Sequence, residues 1–148
     1  MIEERIVLDT NCLVSFLDDS SSPRGRWLAE NVFARALRSE LAVAVPSVCL
    51  AELLVRPFSL GQDARALAVT RALVRVPNLQ VVPLDDEVAV EAARLRGRSG
   101  VSLPDAVVLA TAVLQQASVL TNDRRLATAA QQVPVTVLLL DDARTASP

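Results

Sequence analysis

The feature that most constrains the fold of this chain is a regular alternation. Apolar runs of four to six residues, dense in Val, Leu and Ile, occur at 5–9, 41–45, 79–84, 118–121 and 135–139, and longer stretches with helically spaced apolar residues lie between them. Runs this short, continuous rather than alternating, read as strands buried on both faces. Strand–helix–strand repetition brings right-handed crossovers and a mainly parallel sheet, so the expected fold class is α/β, a three-layer sandwich with five strands flanked by helices.

The intervening stretches give the helices. Residues 10–18 follow the first strand, with Thr10 or Asn11 placed to cap them. Residues 26–40 have apolar spacing at Trp27, Leu28, Val32, Ala36 and Leu37. Pro46 and Ser47 open a third helix, Asp63 starts a fourth reaching to about 75, and Asp85, Asp86 and Glu87 crowd the start of a fifth, where acids suit the macrodipole. Residues 96–101 read as a flexible joint before a helix at 103–117, and a short helix follows 121–123 to about 131. The whole chain, 1–148, is expected to be a single domain, with 141–148 a short tail.

Two absences narrow the chemistry. The chain has no His and no Lys, and all fifteen basic residues are Arg. Histidine-dependent triads, imidazole metal sites, Schiff bases and the phosphate-loop lysine are excluded together, which leaves carboxylates. A net charge of −2 argues against nucleic-acid binding through a large excess of positive charge. Cys12 and Cys49 lie in apolar segments and read as reduced core thiols. The charged start MIEERIVLD has no secretory apolar region, and no run approaches the ~18 apolar residues of a membrane helix, so the expected location is the cytoplasm.

Four acids draw notice. Glu52 sits among Val48, Cys49, Leu50, Ala51, Leu53, Leu54 and Val55, with no evident solvent face; a buried carboxylate is normally paired, protonated or metal-bound, and Arg56 is the available partner. Asp105 stands three residues after Ser102 and one after Pro104, a spacing that capping explains. Asp9 can be a strand-end turn residue and Asp123 a helix cap. In a parallel sheet, however, strand C-termini share one edge, which brings Asp9 and Asp123 together despite their separation in sequence. Asp85, Asp86, Glu87, Asp141 and Asp142 are explained by solvation. Arg94, Arg96 and Arg98 read as a solvated helix end that can also meet phosphate, and Trp27 and Phe33 as core.

At "IVLDTNCLV", "PSVCLAELL", "SLPDAVVLATA" and "VLTNDRRL", in that order, the chain resembles the PIN-domain ribonucleases, in particular the VapC-type toxins of prokaryotic toxin–antitoxin pairs. The resemblance implies an acidic site of Asp9, Glu52, Asp105 and Asp123, supported by Asn11 and Thr121. It implies Mg²⁺ or Mn²⁺ on Asp9, Asp105 and Asp123, with Glu52 a ligand through water or the group orienting the nucleophile. It further implies RNA as substrate, 5′-phosphate and 3′-hydroxyl products, an antitoxin whose C-terminal segment covers the site, and a homodimer. Rim arginines, Arg96, Arg98 and Arg124, are the candidates for touching RNA. Two alternatives stay open: a haloacid-dehalogenase-like phosphatase, whose motif wants a second Asp where Asn11 stands, and a PIN-like binding module without cleavage. A phosphoacceptor receiver domain needs an active-site lysine, which this chain lacks.

Overall fold

Ile6, Val7 and Leu8 are all fully buried, so the first strand is covered on both faces and can lie only in the middle of a sheet. The computed structural model, which describes residues 4–146, places it there. The strands β1 (Arg5–Leu8), β2 (Ala42–Pro46), β3 (Leu79–Val82), β4 (Ser118–Thr121) and β5 (Val137–Leu139) form one parallel sheet in the order β3-β2-β1-β4-β5. The helices are α1 (Thr10–Asp18), α2 (Pro23–Leu28), α3 (Ala34–Leu37), α4 (Ser47–Ser59), α5 (Asp63–Val74), α6 (Asp86–Ser99), α7 (Leu103–Gln115), α8 (Arg124–Ala129) and α9 (Leu140–Ala146). A π-helical turn, Ala29–Phe33, joins α2 to α3, and a 3-10 turn, Ala130–Gln132, follows α8.

The order of the strands positions the site. The chain runs outward from β1 through β2 to β3, then returns to lay β4 on the other flank of β1. Between β1 and β4 the winding reverses, and a crevice opens beyond the carboxyl ends of these two strands. Leu8 pairs with Leu120, and the Asp9 amide donates to the Leu120 carbonyl at 3.1 Å. Asp9 and Thr121 therefore leave the sheet side by side. Beneath them α7 is buried from Ala106 through Ala112, its small residues allowing close approach to β1, β2 and β4 on one side and to α6 on the other. Leu8, Leu13, Leu109 and Leu120 are fully buried in this layer, each contributing roughly 1.5–3 kcal/mol relative to exposure.

Several boundaries differ from the sequence expectation. The cap of α1 is Asp9, not Thr10 or Asn11. The helix expected at 26–40 begins at Pro23, where Ser22 caps and proline suits the first turn, and is interrupted by the π turn. The joint expected at 96–101 is helical through Ser99: Gly97 is tolerated on an exposed face, and Gly100, at φ 72°, is the left-handed residue that ends α6. The third strand stops at Val82, before Pro83, and β5 starts only at Val137. Residues 141–146 of the expected tail belong to α9, which begins at Leu140; residues 1–3 and 147–148 lie outside the described part of the chain.

Candidate active site

The four candidate acids arrive from four elements. Asp9 ends β1 and caps α1, Glu52 is carried by α4, Asp105 by the first turn of α7, and Asp123 caps α8 after β4. All four line one cleft of about 500 Å³, together with Thr10, Asn11 and Ser15. The local reasons are ordinary ones. Asp123 Oδ1 accepts from the amides of Arg125 (2.9 Å) and Leu126 (3.4 Å), and Ser102 Oγ accepts from the Asp105 amide at 3.3 Å, as helix starts require.

Asp9 is the most constrained of the four. It is 9 % exposed. Its Oδ1 accepts from the Thr10 amide at 2.8 Å, and its Oδ2 accepts from Thr121 Oγ1 at 2.7 Å and Asn11 Nδ2 at 3.1 Å. Asn11 Nδ2 also donates to Thr121 Oγ1 (3.1 Å), while Asn11 Oδ1 accepts from the Asn122 amide (2.8 Å); the Asp123 amide in turn donates to Thr121 Oγ1 at 3.0 Å. Asn11 and Thr121 thus hold the ends of β1 and β4 together around one carboxylate. Burial raises the Asp9 pKa, the bonds from Thr121 and Thr10 oppose this, and the charges of Asp105 and Asp123 add to the rise.

Glu52 departs from expectation. It is exposed, not enclosed by its apolar neighbours, because α4 turns Val48, Cys49 and Leu50 to the core and Leu53 and Leu54 to the groove beside α5, leaves Ala51 and Val55 exposed, and sets Glu52 on the lining of the cleft. Thr10 Oγ1 donates to its Oε1 at 3.4 Å. Its pKa is raised by partial desolvation first, then by Asp9 and Asp105. Thr10 is thereby a site residue that sequence reading treated only as a cap; its place beside Asp9 was the available signal.

The candidate RNA-touching arginines are not brought to the acids, and the cleft lining contains no basic residue. Arg96 reaches the Val101 carbonyl at 3.5 Å at the joint of α6 and α7, Arg98 is exposed, and Arg124, next to Asp123, lies 3.8 Å from Asp142. Asp141, assigned to solvent from sequence, is instead held by a two-pronged bond from Arg24, at 2.8 and 2.6 Å. Cys12 and Cys49 are buried free thiols; burial pushes Cys49 up to about 12, and its Sγ lies 3.9 Å from Asp9 Oδ1. Trp27 and Phe33 are buried, as expected.

The donor set fits a hard divalent cation. It consists of carboxylate oxygens with hydroxyl and amide neighbours; the Arg125 guanidinium lies 3.9 Å from Asp123 Oδ1 but is almost fully exposed and does not line the cleft. Among the described residues no three acids or thiols enclose a single ion. The cleft is an open acidic mouth with room for water, and Mg²⁺ is commonly bound that way, by one or two carboxylates and several waters.

Comparison with known proteins agrees with the fold. The family model described as PIN domain matches residues 6–132. No curated protein matches the chain in sequence. Among solved structures, a toxin–antitoxin complex from Klebsiella pneumoniae is similar at TM-score 0.65 and 20 % identity, covering 91 % of this chain and 97 % of that one. FitAcB from Neisseria gonorrhoeae is similar at TM-score 0.67 and 22 % identity, with 90 % and 96 % covered. VapBC2 from Rickettsia felis, solved with a DNA fragment from its promoter, is similar at TM-score 0.68 and 15 % identity, with 91 % and 98 % covered.

Proposed function

The chain belongs to the PIN-domain family, and from that premise we propose that it is a Mg²⁺- or Mn²⁺-dependent endoribonuclease, the toxin of a toxin–antitoxin pair, acting in the cytoplasm. The observation that carries the reading is the lining of one cleft by Asp9, Glu52, Asp105 and Asp123 without a basic residue among them.

Asp9, Asp105 and Asp123 would hold the cation, with Glu52 bound to it through water or orienting the nucleophile. When bound, the metal supplies the missing positive charge, acidifies water and offsets charge growing on the phosphoryl oxygens. Asp9 contributes preorganisation: with donors on both oxygens, its carboxylate is fixed before substrate arrives. Where Glu52 orients the nucleophile, its raised pKa suits it to take a proton from the attacking water in this reading. The water oxygen bonds to phosphorus as the P–O3′ bond breaks and O3′ takes a proton from solvent, leaving 5′-phosphate and 3′-hydroxyl ends. RNA is gripped through its shape and by arginines beyond the cleft, among them Arg56 in the adjoining groove and Arg124.

The similar structure from Klebsiella pneumoniae is a toxin–antitoxin complex. A groove of about 610 Å³ between α1, α4 and α5, lined by Leu17, Leu53, Pro57 and Val69, meets the cleft at Val14 and Glu52. In this reading an antitoxin segment rests there and reaches over the acids. Val55 and Phe58 on α4 and Leu67 on α5 are exposed apolar residues that suit a homodimer; light scattering that finds only monomer at micromolar concentrations would count against it.

The direct experiment incubates purified protein with RNA. Cleavage is expected with Mg²⁺ or Mn²⁺ and is expected to be lost in Asp9→Asn, Asp105→Asn and Glu52→Gln. Undiminished cleavage in EDTA rejects the metal, and a wild type that cuts no RNA under any divalent cation rejects the nuclease.

A further inference from the structure

In the turn 121–123 the buried Thr121 hydroxyl donates to Asp9, Asp123 lines the cleft, and the side chain of the middle residue turns to α9. Asn122 does not line the cleft. Its Nδ2 donates to Asp141 Oδ2 at 3.3 Å, and its Oδ1 accepts from the Asp141 amide at 3.3 Å, so its side chain is clasped to the first turn of α9. Its backbone amide, meanwhile, donates to Asn11 Oδ1 at 2.8 Å, and Asn11 is bonded to both Asp9 and Thr121. The far side of the clasp is Arg24, on α2, whose Nε and Nη2 meet the two oxygens of Asp141. A continuous chain of hydrogen bonds therefore runs from α2, through Asp141 and Asn122, to Asn11 and Asp9.

We propose that the Arg24–Asp141 pair is a latch that positions the acidic cleft through Asn122, making Arg24, Asp141 and Asn122 positioning residues for the reaction. The inference rests on the nuclease reading above. Its physical basis is geometric. Within the turn the Asp123 amide donates to Thr121 Oγ1, and Thr121 and Asp123 flank the one residue whose side chain the latch fixes. A bidentate guanidinium–carboxylate pair sets orientation as well as distance, in contrast to a single contact. The carboxylate is 31 % exposed and the guanidinium 45 % exposed, so the pair is expected to matter more for placing the turn than for total stability. Outer partners of metal-binding side chains, when removed, commonly cost about ten- to a hundredfold in activity or affinity.

The test compares Arg24→Gln, Asp141→Asn and the double variant, with Glu40→Gln as the control. Glu40 forms an equivalent two-pronged pair with Arg38, outside the cleft lining. On an RNA that the wild type cleaves, each single variant is expected to lower kcat roughly tenfold or more, with KM within about twofold. The double variant is expected to be no worse than the poorer single one, Arg24→Lys to recover part of the loss, and Glu40→Gln to match wild type. In metal-free protein, amide exchange at Asn122 and Asp123 is expected to quicken in the latch variants while core strands stay protected. Unchanged kcat and exchange in both singles overturn the latch, as does a loss of activity that only follows loss of folded protein in melting curves. If Asp141→Asn does not fold, Arg24→Gln reads the same pair from its other side; if neither folds, the pair is a stability element and the proposal fails. A wild type that cuts no RNA fails the nuclease reading instead, and the exchange measurement still decides whether the pair holds the turn.

Discussion

Asp9 and Asp105 are both carboxylates of one cleft, yet their removal is expected to act in opposite directions on the fold. Three N–H and O–H donors converge on the Asp9 carboxylate, with the Cys49 thiol a fourth at 3.9 Å. In Asp9→Asn one oxygen becomes an amide facing donors, and leaving buried polar groups unmatched costs about 1–3 kcal/mol. Thr10 and Asn11 are sequence neighbours of Asp9, but Thr121 lies 112 residues away, and only the family resemblance linked it to the site. The Asp105 carboxylate makes no hydrogen bond among the described residues, so Asp105→Asn removes repulsion and little else. Metal-free Asp105→Asn is therefore expected to be as stable as wild type or more so, and Asp9→Asn less stable, in urea titrations at pH 7 with EDTA. The pH dependence follows from the raised pKa values of Asp9 and Glu52, to which Asp105 contributes in both. Above their ordinary values of 3.8 and 4.5, the folded protein still holds protons that the unfolded chain has released. Stability thus falls as pH rises through that window and levels off once the folded carboxyls are ionised. The advantage of Asp105→Asn over wild type should be small near pH 4 and grow toward pH 7. An advantage that shrinks with rising pH would refute the repulsion.

At the scale of elements, what the sequence reveals is set by local causes and what it conceals by tertiary ones. The strand at 118–121 and the caps Ser102 and Asp123 were legible because the signals are adjacent in sequence. Glu52 was misread as buried because apolar neighbours on a helix do not say which of them the sheet will claim. Asp141 was misread as solvated because its partner, Arg24, is brought near only by folding, whereas Asp142 is exposed as expected. Gly25 is a further case, since its reason is a neighbour and not a dihedral angle. A Cβ there would lie 2.2 Å from the Asp19 carbonyl oxygen and 2.7 Å from Ser20 Cα. Both are backbone atoms and cannot swing aside as a side-chain end would. In most helices Gly→Ala stabilises by up to about 1 kcal/mol; here the clash should reverse the sign, with a loss of roughly 1–3 kcal/mol as the 19–20 loop is pushed from α2. Denaturant titration of Gly25→Ala checks this, and a variant more stable than wild type would show that the loop yields freely.

For the whole molecule, the sheet order decides where charge accumulates. By placing β4 against β1, the fold gathers acids from residues 9, 52, 105 and 123 at one edge, in a chain whose net charge is only −2. The excess of negative charge is local, so its relief by cations should be local too. Folding assembles these acids and unfolding disperses them, so a cation that needs several of them binds the folded state alone. Mg²⁺ at ten times its dissociation constant should then add about 1.4 kcal/mol to wild-type stability. For a domain of this length that corresponds to roughly 3–6 °C in Tm. Asp105→Asn, with one carboxylate fewer, should gain less at the same concentration. Because protons compete for the same oxygens, the wild-type gain should be smaller at pH 5 than at pH 7. Melting curves with EDTA, Mg²⁺ and Mn²⁺, for both proteins at both pH values, make the comparison. A wild type indifferent to both cations, or a gain undiminished in Asp105→Asn, would mean that the acids meet for structural reasons and that the cleft holds no divalent metal.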